Sequence, residues 1–269
     1  MDQYNIILFG GGRMGSALLR GWLAAGVNAC DINVVDPAPL PELAELACAC
    51  GFALNAPIEA QGGQALVLAV KPQKIAELAA QYEGMASEDT LIVSIIAGKT
   101  LADLARLFPQ ARSFVRAMPN LPAAVGRGAT VAATSGDFTP AHRLFTERLL
   151  GSTGTLEWLG EEDLIDAATG VSGSGPAYFF YLCDCLTEAG LAAGLPYPIA
   201  ERLARQTIAG AGEMLRVSEK SAEQLRRDVT SPAGTTEAGL KVLMADGLVP
   251  GLIERAVATA TARARELAG

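Results

Sequence analysis

The sequence predicts an α/β domain built on a parallel sheet, followed by an all-helical domain. Three observations carry this. Up to about residue 160 of 269, short apolar runs alternate with segments of helical period, and strands alternating with helices imply a parallel sheet covered on both faces. The first apolar run ends in a cluster of glycines. Beyond about Gly160 strand-like alternation stops, and the rest reads as helices. The expected division is 1–160 and 161–269.

The elements follow in order. "YNIILFG" (Tyr4 to Gly10) is a short apolar run ending in glycines, a buried strand. "SALLRGWLAAG" carries apolar residues at helical spacing and stops at Gly26. "INVVD" is the second strand, "LPELAELACAC" a helix and "FAL" a short third strand. "QALVLAV" (Gln64 to Val70) is the fourth strand, stopped by Lys71-Pro72. "KIAELAAQY" is a helix, "TLIVSII" the fifth strand, "TLADLARLF" a helix and "RSFVRAM" the sixth strand. Gly128 to Ala133 and "GTLEWL" add strands at one edge, around the helix "PAHRLFTERLL". In the second half, a long helical run from Glu161 to Leu195 is interrupted by glycines, and "PIAERLARQTIAGAGEMLRV" and "VPGLIERAVATATARARELAG" are also helical. Their apolar faces are too broad for so small a domain to bury alone, which points to packing against another chain.

Composition narrows the function classes. A net charge of −8 argues against general affinity for nucleic acid or anionic membranes, though a local site can still hold a small anion. No apolar run is long enough to span a bilayer, the N-terminus does not read as a signal peptide, and a cytoplasmic protein is expected. Cys48 with Cys50, and Cys183 with Cys185, have C-x-C spacing rather than the C-x₂₋₄-C of zinc sites, and His142 is the only histidine. Buried reduced thiols are expected, and no metal site.

"GGGRMG" fits G-x-G-x-x-G with Gly10, Gly12 and Gly15, and it follows a strand and opens a helix, as dinucleotide binding requires. The first glycine makes the tight turn, the second admits the pyrophosphate, and the third lets helix and strand pack. Arg13 and Met14 lie in the same turn. The first domain is therefore expected to be a Rossmann-type dinucleotide-binding domain. Asp36 ends the second strand, where an acid bonds the adenosine ribose 2′-OH and favours NAD over NADP. Arg13 is either a partner for a 2′-phosphate or a solvated side chain. Ligands of open parallel sheets lie outside the carboxyl ends of strands. "AVKPQ", with Val70, Lys71 and Pro72, is such an end; "SIIAGKT", with Ala97 and Gly98, and "RAMPNLP", with Asn120, are two more. Lys71 reads as a ribose or phosphate contact or as a solvent-exposed side chain. Asn120 reads as a ligand to a carboxamide or substrate, or as an ordinary turn residue.

Two further segments, "VSGSGPAYFF" (Val171 to Phe180) and "DVTSPAGTTEAGLKVL" (Asp228 to Leu243), closely resemble hallmark segments of the pyrroline-5-carboxylate reductases. "FGGGRMGSAL", "AVKPQ" and "RAMPN" match the same family in the same order, so the resemblance covers essentially the whole chain. Departures are Arg13 where the family often has Asn, Leu121 in "MPNLP", and Met244 at the close of the C-terminal signature. The resemblance implies reduction of Δ1-pyrroline-5-carboxylate to L-proline, the last step of proline synthesis, by NADPH with NADH commonly accepted. It also implies a helical domain that interlocks two subunits, with rings of five dimers in many members.

Such a cyclic imine needs little from side chains, because the nicotinamide supplies the hydride and the nitrogen can enter protonated. Positioning remains. Pro232 and Gly234 shape a turn, and a helix is expected to start near Thr235 with its N–H groups facing the substrate carboxylate. Ser231 donates to the same oxygens, and Thr236 bonds the ring nitrogen or the carboxylate, the nitrogen being favoured by the resemblance. The competing reading of these hydroxyls is helix capping alone. Ser174, in "SGSGP", either forms part of the site or caps the following helix. His142 is expected on a helix surface. A β-hydroxyacid dehydrogenase is the nearest rival, but it needs a lysine base on the interdomain helix, and no Lys lies between Ser174 and Leu215.

Overall fold

The computed structural model describes residues 5–58 and 64–268; Tyr4, with which the first strand was expected to open, lies outside them. Eight strands form one sheet: β1 (Asn5–Phe9), β2 (Ile32–Val35), β3 (Ala53–Leu54), β4 (Gln64–Leu68), β5 (Leu91–Ser94), β6 (Ser113–Met118), β7 (Gly128–Gly136) and β8 (Gly154–Trp158). Their order is β3-β2-β1-β4-β5-β6-β7-β8. All neighbours run parallel except β6 and β7, which pair antiparallel. The two strands expected at an edge are β7 and β8, and they lie there.

The helices α1 (Arg13–Ala24), α2 (Pro41–Cys50), α3 (Ile75–Tyr82), α4 (Leu101–Leu107) and α5 (Pro140–Gly151) cover the sheet. Alternate residues of the same strands enter two separate cores. Ile6, Leu8, Val67 and Val93 pack with Leu18, Leu19 and Trp22 on one face. Ile7, Phe9, Leu68 and Ile92 pack with Ile75, Leu104 and Phe108 on the other. This is why the central strands read as unbroken apolar runs: a period of two with both faces buried leaves no polar position. Each large side chain fully buried in this way stabilises by about 1.5–3 kcal/mol. Trp22 is fully buried and its Nε1–H donates to the Leu149 carbonyl at 2.9 Å, so α1 is tied to α5.

The remaining helices are α6 (Leu164–Ala168), α7 (Gly175–Ala192), α8 (Tyr197–Val217), α9 (Ala222–Asp228), α10 (Thr235–Met244) and α11 (Leu248–Ala268). A π-helical turn, Thr169–Gly173, follows α6 where the glycine interruption was read. α9 was not expected. It opens on a capping box in which Ser221 and Gln224 satisfy each other's backbone amides. The chain forms two compact units, Met1–Gly173 with Thr259–Gly269, and Ser174–Ala258. The last turns of α11 thus belong with the sheet, a division that differs from one at residue 160.

Two sequence expectations fail. His142 is not on the surface: it is 8% exposed and sits third in α5. Its amide donates to Thr139 Oγ1 and its Nδ1 accepts from the Thr139 amide, which makes a capping box of the pair. Burial pushes its pKa below the ordinary 6.5, against smaller opposing effects from Asp137 and Asp89. Nor are the thiols buried. Cys30, Cys48, Cys50 and Cys185 are exposed and Cys183 partly so. α2 buries only Leu43, which leaves Cys48 and Cys50 outside its buried stripe.

Candidate active site

The glycine turn has the geometry its spacing requires. Gly10 lies at φ +99°, and a Cβ on it would stand 2.7 Å from the Ala69 carbonyl oxygen. A Cβ on Gly15 would fall 2.0 Å from the carbonyl oxygen of Gly10, so this position packs helix against turn. Gly12 differs: nothing lies within 4 Å of where its Cβ would be. It is the N-cap of α1 and has no side chain to satisfy the first-turn amides. Those amides and the open face of Gly12 are what an incoming pyrophosphate needs. Arg13 is exposed and Met14 half-buried at the start of the helix.

Asp36 does more than the sequence showed. Its Oδ2 accepts the Gly11 amide at 2.7 Å and its Oδ1 accepts the Ala38 amide at 3.0 Å. The carboxylate therefore holds the glycine turn from the end of β2. Asn55, at φ +57°, in turn holds Asp36: its Oδ1 accepts the Asp36 amide at 2.9 Å and its Nδ2 donates to the Asp36 carbonyl at 2.8 Å. Nothing in the spacing of Asn55 announced this. Gly10, Gly12, Asp36, Asn55, Val70 and Lys71 line one open pocket of about 410 Å³, together with Lys74 and Tyr82. Pro72 opens the short 3₁₀ turn beside it. Lys74 pairs with Glu77 at 2.9 Å, but both are well exposed, so the pair is weak and does not tie the ammonium down.

The ends of β5 and β6 are built differently. Ala97 is exposed, whereas Gly98, at φ +71°, is buried, and a Cβ on it would lie 2.3 Å from the carbonyl oxygen of Leu267. These residues border a space of only about 50 Å³, shared with Arg116, Met118, Asp166 and Leu267. Asn120 is 8% exposed. Its Nδ2 donates to the Ser172 carbonyl at 2.9 Å and its Oδ1 accepts the Ala129 amide at 2.8 Å. With one bond at each end, the amide clamps the π-helical turn to β7, and a second N–H and a second lone pair stay available for a ligand. Arg116, 6% exposed on β6, donates to Glu162 at 2.9 Å and to Asp166 at 3.3 Å. Sequence reading passed over it, although an arginine within the apolar run "SFVRAM" was a usable signal.

In the second unit the loop from Ser231 leads into α10, which starts at Thr235 as expected. Gly234 occupies the N-cap, so no side chain caps the helix. Ala233 takes the left-handed conformation at φ +55°, and its amide donates to Glu237 Oε2 at 2.6 Å. The Thr230 hydroxyl is spent on the Arg226 carbonyl at 2.6 Å. Ser231, Thr235 and Thr236 are exposed, and capping does not use their hydroxyls. Ser174 stands at the N-cap of α7, but its side chain makes no capping bond either.

Among the described residues no group of His, Cys, Asp or Glu is placed to hold a metal ion. No helix of the described residues is long and apolar enough to cross a membrane.

Two family models match different parts of the chain. Residues 162–267 match the family described as pyrroline-5-carboxylate reductase dimerisation. Residues 5–98 match the family described as NADP oxidoreductase coenzyme F420-dependent. A pyrroline-5-carboxylate reductase of Pseudomonas aeruginosa is 39% identical over 100% of this chain and 98% of its own. That of Pisum sativum is 35% identical, over 99% and 97%. The solved enzyme of Coxiella burnetii superposes with a TM-score of 0.92 at 33% identity, over 99% of each chain. A Plasmodium falciparum enzyme solved with NADP bound superposes with a TM-score of 0.81 at 25% identity, over 100% of each. By sequence along its whole length and by fold, the chain belongs to the pyrroline-5-carboxylate reductase family.

Proposed function

We propose that the chain reduces Δ1-pyrroline-5-carboxylate to L-proline with NADPH, NADH serving as well, as the last step of proline biosynthesis. The observation that carries this reading is the start of α10. It offers uncapped first-turn amides and the uncommitted hydroxyls of Ser231, Thr235 and Thr236. Nothing from Thr230 to Thr236 ionises near neutral pH, and Glu237 in the first turn is engaged by the Ala233 amide; a cyclic iminium acid needs only a place for one carboxylate and one N–H.

The residues present fit a dinucleotide. Gly10, Gly12, Arg13, Met14 and Gly15 would hold its pyrophosphate, and Asp36, Val70, Lys71 and Pro72 its adenosine end. Gly12 in particular leaves open the space a Cβ would fill. Bound there, the reduced nicotinamide supplies the hydride. Lys71 and Lys74 line the same pocket as Asp36, which supports use of the 2′-phosphorylated form alongside the unphosphorylated one. The amides of Thr235 and Thr236 and the Ser231 hydroxyl bind the carboxylate. The Thr236 oxygen accepts the iminium N–H, which orients the imine carbon for hydride attack and keeps the nitrogen protonated. Ser174 and Gly234 border this substrate pocket, and Asn120 keeps the π-helical turn in place.

The broad exposed apolar surface of α7 supports a homodimer built through the helical region; it is the resemblance to the family that supports further assembly as a pentamer of dimers, with each site drawing residues from two chains. The net charge of −8 supports small molecules rather than nucleic acid as partners, and the location is cytoplasmic. Incubation of the purified protein with Δ1-pyrroline-5-carboxylate and NADPH or NADH, following absorbance and proline, tests the reading. Absence of turnover with both cofactors overturns it.

A further inference from the structure

Charged groups buried inside a sheet domain are costly unless geometry repays them. Arg116 projects from β6 among otherwise buried positions, and its guanidinium meets Glu162 at 2.9 Å and Asp166 at 3.3 Å. The Arg116 side chain is 7% exposed and that of Glu162 23%. Glu162 has a second bond: its Oε1 also accepts the amide of Leu101 at 2.8 Å. Leu101 is the first residue of α4 and directly follows the turn of "SIIAGKT". The same oxygen thus joins β6 to the end of the β5–α4 turn. That turn is held from its other side as well, where the Leu267 carbonyl packs on Gly98. Asp166, in α6, links the same arginine to the helix that precedes the π-helical turn.

We infer that Glu162, oriented by Arg116, is a positioning residue that fixes the Ile95–Thr100 turn at the cofactor's reactive end. The inference rests on the proposed function and on the cofactor, held at the glycine turn, extending along the carboxyl ends of the strands so that its nicotinamide lies beside the turn after β5. Glu162 does not touch the reacting atoms. It sets the turn that must fit the nicotinamide side, so its loss acts on cofactor affinity before it acts on substrate affinity. A merely structural role would show in stability alone, whereas a positioning role depends on the accepted Leu101 N–H and shows in cofactor affinity.

The test uses the full chain and NADPH fluorescence titration, with KM for Δ1-pyrroline-5-carboxylate and melting temperature measured beside it. Glu162→Ala removes the acceptor and should raise the NADPH Kd about tenfold, the scale of a lost hydrogen bond to a charged group. Glu162→Gln keeps an acceptor oxygen and should stay within about threefold of wild type. A second pair isolates the donor. Leu101→Ala keeps the N–H, while Leu101→Pro removes it at a first-turn position where proline is tolerated. Thr100 already has the extended backbone that a following proline demands. Leu101→Pro should bind NADPH about tenfold more weakly than Leu101→Ala. If Glu162→Ala lowers the melting temperature but leaves NADPH affinity at the wild-type level, or the two Leu101 variants bind alike, the cluster only holds the fold and the inference falls. Wild-type turnover is read separately, so a failure of the functional reading shows there and not in these ratios.

Discussion

The two compact units handle apolar surface in opposite ways. In the sheet unit, Ile6, Leu8, Phe9, Leu18, Leu19 and Trp22 are almost wholly buried. In the helical unit the buried residues are Gly175, Thr187, Ala200 and Ala204, none of them a large apolar side chain. Phe179, Phe180 and Tyr181 are 59%, 59% and 68% exposed on consecutive positions of α7. α7 packs along α8, with Gly190 close against Ala200, but most apolar surface of the unit has no cover within the chain. The difference teaches that the first unit is a self-sufficient fold and the second is half of one. A dimerisation family matches the region that contains it.

Replacing apolar cover with charge gives the largest expected effect. Phe179→Asp with Phe180→Asp should shift the mass measured by light scattering to that of a monomer and lower turnover about a hundredfold or more, because a half-fold loses its partner. An intact oligomer with full activity would break the comparison. Next come two glycines of the self-sufficient unit. Gly15→Ala forces a Cβ to 2.0 Å from a backbone oxygen, so it should cost about 3 kcal/mol or more and abolish cofactor binding. Gly12→Ala meets no atom of the chain, so its melting temperature should stay near wild type while NADPH affinity drops about tenfold or more. Equal melting curves for both variants would show that the turn yields more readily than its geometry implies.

Smaller effects sharpen the same contrast. Thr236→Ala should reduce kcat/KM for the imine about tenfold to a hundredfold, with NADPH binding and melting temperature unchanged. Collapse of cofactor binding instead would remove the loop from the substrate site. Asp36→Ala should raise the NADPH-over-NADH ratio of kcat/KM about tenfold. An unchanged ratio would mean that Asp36 serves only to hold Gly11. The smallest effect is the pH response of His142. Its folded pKa is depressed by burial, so the unfolded chain takes up the proton first as pH falls. Stability from this group is complete above the ordinary 6.5 and is lost as pH drops from there through the depressed folded value. His142→Gln, which keeps a capping-box side chain, should flatten denaturant midpoints across that window; an undiminished slope would assign it to other groups.

Much of the sheet unit was legible because buried strands write themselves as apolar runs and the glycine turn as a spacing. The start of α10 at Thr235 was legible for a similar local reason, the Pro-x-Gly turn before it. What was not legible depends on residues distant in sequence. Asp36 was read as a ribose ligand, yet its grip on Gly11 exists only once β2 stands beside β1. Asn120 was read as a ligand contact or an ordinary turn residue, and its bonds to Ser172 and Ala129 join segments that sequence alone does not bring together. α9 was missed although Ser221 and Gln224 spelled its capping box. The cysteines of α2 misled because their exposure follows from helix orientation rather than from residue type.

The Leu267 carbonyl seated on Gly98 has a kinetic meaning. All eight strands lie before Gly160, so the sheet has every strand it needs well before translation ends. The turn at Gly98 still waits for a contact from the far end of the sequence, with high contact order and a long loop to close. Until α11 arrives, the nascent unit lacks the contact that closes on Gly98. The slowest step of maturation is then expected to be the docking of the final helical turn.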